Sequence, residues 1–248
     1  MRFKLFASVV AAIGLSACTS TKQFADIGFR PPEGSYKLIV MRPDISIGLL
    51  TAGGSVEHRD DWTDTARGNI MQALTTQQVG RGGVVKIVAT REDVGIDVTT
   101  VADLDRLHEV VGQSIRVHKY IGLKLPTKTD KFDWTLGEPA VAFGQASGYD
   151  YALFLHAEDS FSSTGRVALQ AVELMGCMVG VCYLSPGGQQ AAFASLVDLH
   201  TGKVVWFNAL ASSVGDMRTP DGADKLVANL LAKMRPGSEV RSKAKKAA

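Results

Sequence analysis

The chain of 248 residues has little cysteine, little proline and few aromatic rings: three, eight and 7% respectively. Cysteines at 18, 177 and 182 alone form no CxxC pair, which excludes a zinc knuckle, a dithiol redox motif and a disulfide-stapled mini-fold. No apolar run reaches the roughly 20 residues that a membrane-spanning helix needs. Catalytic signatures are missing too: there is no HExxH, no GxSxG, no phosphate-binding P-loop and no GxGxxG after a strand. Gly80-Arg81-Gly82-Gly83 is glycine-rich but leads into a strand, so it lacks the helix N-terminus whose amides hold phosphate. Charge of one sign is not in excess either. Residues 1–17 carry two of the 27 basic residues and none of the 25 acidic ones, so the remaining 231 residues are formally neutral. That balance gives no footprint for nucleic acid.

What is present begins at the N-terminus. Arg2 and Lys4 precede an apolar stretch from Leu5 to Leu15, followed by Leu15-Ser16-Ala17-Cys18. This is the layout of a cleaved signal peptide over residues 1–17. LSAC resembles the lipobox of bacterial lipoproteins. The resemblance implies that Cys18 carries a thioether-linked diacylglycerol and an acylated amino group, since several acyl chains hold a protein where a single one does so only marginally. Thr19 stands where an inner-membrane retention signal would place Asp. The same resemblance therefore implies lipid anchoring to the outer membrane, facing the periplasm.

Residues 18–35, with Pro31-Pro32 and Gly34, read as a lipidated tether. Residues 36–235 read as one α/β (α+β) domain, a three-layer sandwich with a mixed central sheet flanked by helices and a helical insertion over 90–136. Tyr36–Met41 is its first strand, and a loop runs from Arg42 to Asp60. Trp62, Ala66, Ile70 and Leu74 recur every fourth residue and predict a helix. Val84–Val88 is a second strand. Thr100–Asp103 suggests a capping box, and Leu104, Leu107, Val111 and Ile115 a helix to Tyr120. A short helix over 137–147, a strand over 149–156 and a Ser-rich loop follow. Ala191–Leu199 and Lys203–Ser212 form a hairpin turned by Gly202. Thr219 caps a last helix, with Pro220 at its first position. Residues 236–248 read as a basic, disordered tail.

Segment 167–184 is nearly all apolar behind a polar stripe of Arg166, Gln170 and Glu173. It reads as a buried helix or strand pair, or else as an exposed element facing a partner or membrane. Cys177 and Cys182 lie in this segment. They pair in an oxidising compartment if Gly180 turns the chain, and cannot pair within one regular helix.

Candidates for chemistry are few. His156 and Glu158 alternate on a strand and share a face, with Asp159 and Ser160 beside them, so an imidazole base with a carboxylate orienter is conceivable. The plainer expectation is a boundary histidine bonded to backbone. His108 and His118 sit too far apart for one metal, about 15 Å along a helix, and read as surface or boundary residues. Trp62, Trp134 and Trp206 read as core or edge aromatics rather than a glycan-binding platform. Of the three, Trp134 in the polar, turn-rich KFDWTLGEP is the best candidate for an exposed ring. No catalytic residue, cofactor or metal ligand is assigned.

Four stretches resemble one group of bacterial envelope lipoproteins: YKLIVM with DDWTDTARGNIMQAL, ASGYDYALFLHAEDSF, SLVDLHTGKVVWFNAL and PDGADKLVANLLAKM. The group includes curli-secretion channel lipoproteins and lipoprotein activators of peptidoglycan synthases, which share a three-layer core like the N-terminal domain of the Tol translocation protein. Asp198, Gly202 and Trp206 match its hairpin as turn and core positions. The expectation is a non-catalytic periplasmic lipoprotein that binds another envelope protein or itself, as an accessory to envelope maintenance or secretion. The alternatives are a ring-forming secretion channel inserting residues 164–188, and an envelope hydrolase using His156.

Overall fold

The computed structural model describes residues 20–25, 36–78, 84–128, 131–178, 180–212, 215–231 and 234. The signal segment 1–17, Cys18, the glycine run 80–83 and the tail 236–248 lie outside the described residues. Among the described residues eight strands form one mixed sheet. They are β1 (Ser20–Ala25), β2 (Lys37–Val40), β3 (Asp44–Leu50), β4 (Val56–His58), β5 (Val84–Ile87), β6 (Tyr151–Ser162), β7 (Gln190–Asp198) and β8 (Val204–Ser212). Helices α1 (Asp60–Gln78), α2 (Val98–Arg116), α3 (Glu138–Ser147) and α5 (Pro220–Leu230) cover its faces, while α4 (Thr164–Met178) leaves from the end of β6. The expected α/β class is the one found.

The sheet runs β1-β8-β7-β6-β2-β5, with β3 on β6 and β4 on β3. β6 is long enough to serve two partners. Its first residues pair with β2 (Leu38↔Tyr151) and its remainder with β3 (Asp44↔His156), both parallel. Between these partners the chain steps over Arg42-Pro43, where proline has no N–H to give a ladder. The sequence reading of 42–60 as a loop is thereby corrected. Alternating DISIGLL is a strand, with Ile45 and Ile47 buried, and Gly53-Gly54 turns it into β4. Ser20–Ala25, expected to be tether, is an edge strand antiparallel to β8. The Ser-rich stretch after Glu158 continues β6 instead of looping.

Two cores follow from the two-residue period of the strands. Leu38, Val40, Leu153 and Leu155 face Ile70 and Leu74 of α1 and Leu226 and Leu230 of α5. Ile39, Phe154, Phe193 and Phe207 face Leu104 and Ile115 of α2 and Phe143 of α3. Each such side chain contributes about 1.5–3 kcal/mol by leaving water. The α2 cap differs from expectation: Asp97, not Thr100, is the N-cap, and its carboxylate accepts from the Thr100 amide at 2.9 Å. The hairpin turn is as predicted, with Gly202 at φ 69° and its N–H donating to Asp198 O at 2.8 Å. Trp134, the best candidate of the three for an exposed ring, is buried, as the core reading has it. It packs in the α2/α3 core, and its carbonyl accepts the Val204 amide at 2.9 Å, tying it to the hairpin base.

Candidate functional site

Two features stand apart from ordinary core and surface. One is a histidine cluster between the sheet and α2; the other is the face of α4.

His156, on β6, is 4% exposed. Its Nδ1 meets Asp44 Oδ2 at 2.7 Å and its Nε2 meets Glu158 Oε1 at 3.2 Å, while Phe193 stacks on the ring at 4.8 Å. The partners are side chains, not the expected backbone. Burial works against the charged ring, but the two carboxylate hydrogen bonds outweigh it and raise its pKa to about 9. The imidazolium therefore donates at both nitrogens at neutral pH and has no lone pair to act as a base. Asp159 points to the opposite face, where Gln190 Nε2 donates to it at 3.0 Å and burial pushes its carboxyl up to about 7. Ser160 Oγ donates to Gln189 O. The four residues that made a base and orienter conceivable are thus divided, and only His156 and Glu158 meet.

His108, expected at the surface or a boundary, is buried. Its ring stacks on Phe154 at 4.5 Å, Ser195 Oγ lies 2.5 Å from its Nε2, and burial lowers its pKa to about 3. One sheet face thus holds a neutral and a charged histidine side by side. Asp44, Glu109 and His156 each offer a ligand atom within 4.8 Å of the others, so these are the described residues that could hold a divalent cation. As they stand, Asp44 and His156 neutralise one another. Asp44 was missed by sequence reasoning because its strand was read as loop. Beside Glu158 lies an open cleft of about 460 Å³, lined by Ser46, His58 and Arg116 among others.

The second feature is larger. Arg166, at the start of α4, is 6% exposed. It donates to Pro186 O at 2.7 and 3.2 Å and to Ala52 O at 3.3 Å. Gln170 Nε2 donates to Ser185 O at 3.0 Å, and the Glu173 carboxylate accepts from the Ser185 amide at 2.8 Å. The polar stripe therefore faces the protein body, and the apolar residues face out. Val167, Val172, Leu174, Met175 and Met178 are all more than half exposed. Gly180, at φ 92°, turns the chain so that Val181 N–H donates back to Gly176 O, and Cys177 and Cys182 are disulfide-bonded across this turn. Val181, Tyr183 and Leu184 extend the apolar surface at 57–74% exposure. Of the two readings of 167–184, the exposed one holds, and the buried one is corrected. The reason is that the polar stripe found buried carbonyls and an amide to satisfy, leaving the wider apolar face no place in the core. Within segment 164–188, which the channel alternative would insert, Thr164–Met178 is a helix. No described helix is long and apolar enough to cross a membrane.

No protein-family model and no curated protein matches the chain. Among solved structures, it is similar to the PelC dodecamer from Paraburkholderia phytofirmans, at 11% identity and TM-score 0.39, covering 89% of this chain and 100% of that one. It is also similar to the LpoB C-terminal domain from Salmonella enterica, at 13% identity and TM-score 0.26, covering 75% of this chain and 86% of that one.

Proposed function

We propose that the protein is a non-catalytic lipoprotein of the outer membrane, anchored through an acylated Cys18 and facing the periplasm. It works by surface contact with other envelope components, as an accessory factor in envelope maintenance or secretion. The observation that carries this reading is the mounting of α4, whose polar residues are spent on the protein body and whose apolar residues are presented outward. Contiguous apolar surface of this kind marks a place where something else binds. Open strand edges offer a second kind of contact, by strand addition. β4, whose three residues are all exposed, pairs on one side only among the described residues. Against turnover, the strongest candidate base, His156, is held as a cation between two carboxylates.

Two measurements test this. Cell fractionation should move the protein from the outer-membrane fraction to the soluble periplasm on Cys18→Ser; an unchanged distribution overturns the anchor. Photo-crosslinking residues placed along α4 and at Glu57 of β4 in intact cells should capture a defined protein from at least one position. Absence of any protein adduct overturns the protein-contact reading.

A further inference from the structure

The register of the sheet fixes where β1 begins relative to α4. Ser20 pairs with Ala211, Ala211 with Ala191 and Ala191 with Glu158, so the start of β1 lies level with Glu158. From there β6 runs four residues further, to Ser162, before α4 begins. Only Thr19 separates Cys18 from β1. Three strand spacings of about 4.8 Å across and six residues of about 3.3 Å along, from Glu158 to Thr164, put Ser20 roughly 25 Å from the start of α4, at the same end of the sheet, and Cys18 is two residues before Ser20 in the chain. Resting on the Cys18 anchor proposed above, we propose that the outward face of α4 seats in the lipid bilayer that holds the anchor.

Three observations favour lipid over a protein occupant. First, an anchor with one intervening residue holds this end of the domain against the membrane and leaves no standoff for a long tether. Second, residues 167–184 hold a single charge, Glu173, and it is turned inward onto Ser185. A protein interface of this size would carry a polar rim, whereas a bilayer asks only for apolar area. Third, α4 has 15 residues, about 22 Å, too short to cross the bilayer and suited to lying along its surface. Tyr183, 71% exposed beside Leu184, is an amphipathic ring of the kind that sits at the headgroup level. The disulfide turn keeps Val181 to Leu184 folded against the same side as the helix. With α4 given to lipid, the open strand edges are left for protein.

The test uses the mature chain, residues 18–248, carrying Cys18→Ser and therefore no acyl group, with vesicles of phosphatidylethanolamine and phosphatidylglycerol. It should float with the vesicles, and Leu174→Asp with Met178→Asp should cut the bound fraction about tenfold or more. The melting temperature in solution should stay where it was, which shows that the variant folds. Trp introduced as Leu184→Trp should be quenched by brominated lipid. No flotation, flotation indifferent to the two aspartates, or self-association abolished by them without vesicle binding each overturns the proposal, the last by naming a second copy as the occupant. Because this chain has no acyl group, its failure to float leaves the Cys18 anchor untouched, and a failed fractionation test leaves the flotation result standing.

Discussion

Helices α2 and α4 are both amphipathic, and they are mounted in opposite senses. In α2, Leu104 and Ile115 are 1% and 0% exposed, while Arg106 and Asp103 pair in solvent. In α4, Arg166 is 6% exposed while Met178 is 83% exposed. The difference lies in what each helix lands on. α2 meets a sheet face of Phe154, Phe193 and Phe207, which only apolar side chains can fill. α4 emerges past the end of the sheet and meets loop backbone, the carbonyls of Ala52, Ser185 and Pro186, which only donors can satisfy. An amphipathic pattern supplies a face; the surface it docks on decides which face is turned inward.

That contrast can be broken or sharpened by substitution. Leu104→Ala in α2 should cost about 3 kcal/mol of unfolding free energy in denaturant titration, because it empties a filled core site. A loss below about 1 kcal/mol would mean α2 is not docked as described. His156→Gln should remove a pH dependence from the face under α2. Its pKa is raised when folded, so its contribution is complete below the unfolded value near 6.5 and is lost as pH rises to about 9. Native stability should therefore fall by up to about 3 kcal/mol between pH 6.5 and 9. The variant should show a flatter profile; an identical slope in both would remove His156 as its source. Arg166→Met should loosen α4 by about 2 kcal/mol, read as faster hydrogen exchange of α4 amides with the sheet amides unchanged. Exchange as slow as in the native chain would mean that the inward polar stripe does not hold the helix. Leu174→Ala should change stability in solution by less than about 0.5 kcal/mol. A loss as large as that of Leu104→Ala would show that α4 is packed against something in the isolated chain.

Some of this was legible in the residues. The stripe Trp62, Ala66, Ile70 and Leu74 predicted α1, and Gly202 predicted the hairpin, because each depends on spacing or on one residue's backbone freedom. β3 was not legible: its alternation is interrupted by Gly48 and it sits between Pro43 and Gly53-Gly54, and its pairing with β6 and β4 is what makes it a strand. Trp134, in a polar, turn-rich stretch, was the tryptophan least securely read as core, and the base of the β7–β8 hairpin, some seventy residues on, buries it. Half of the histidine cluster was visible as the alternation of His156 and Glu158. Asp44 was not, since the parallel pairing of β3 with β6 joins residues more than a hundred apart.

The sequence by itself determined the period of α1 and α5, the turn at Gly202 and the polar stripe at the start of α4, because these are local properties of chain geometry. Tertiary structure alone decided that α4 shows its apolar side to the outside, that His156 is clamped as a cation, and that the first strand enters the sheet directly after Thr19. Those outcomes depend on which distant groups arrive to be satisfied or desolvated, and spacing along the chain carries no record of that.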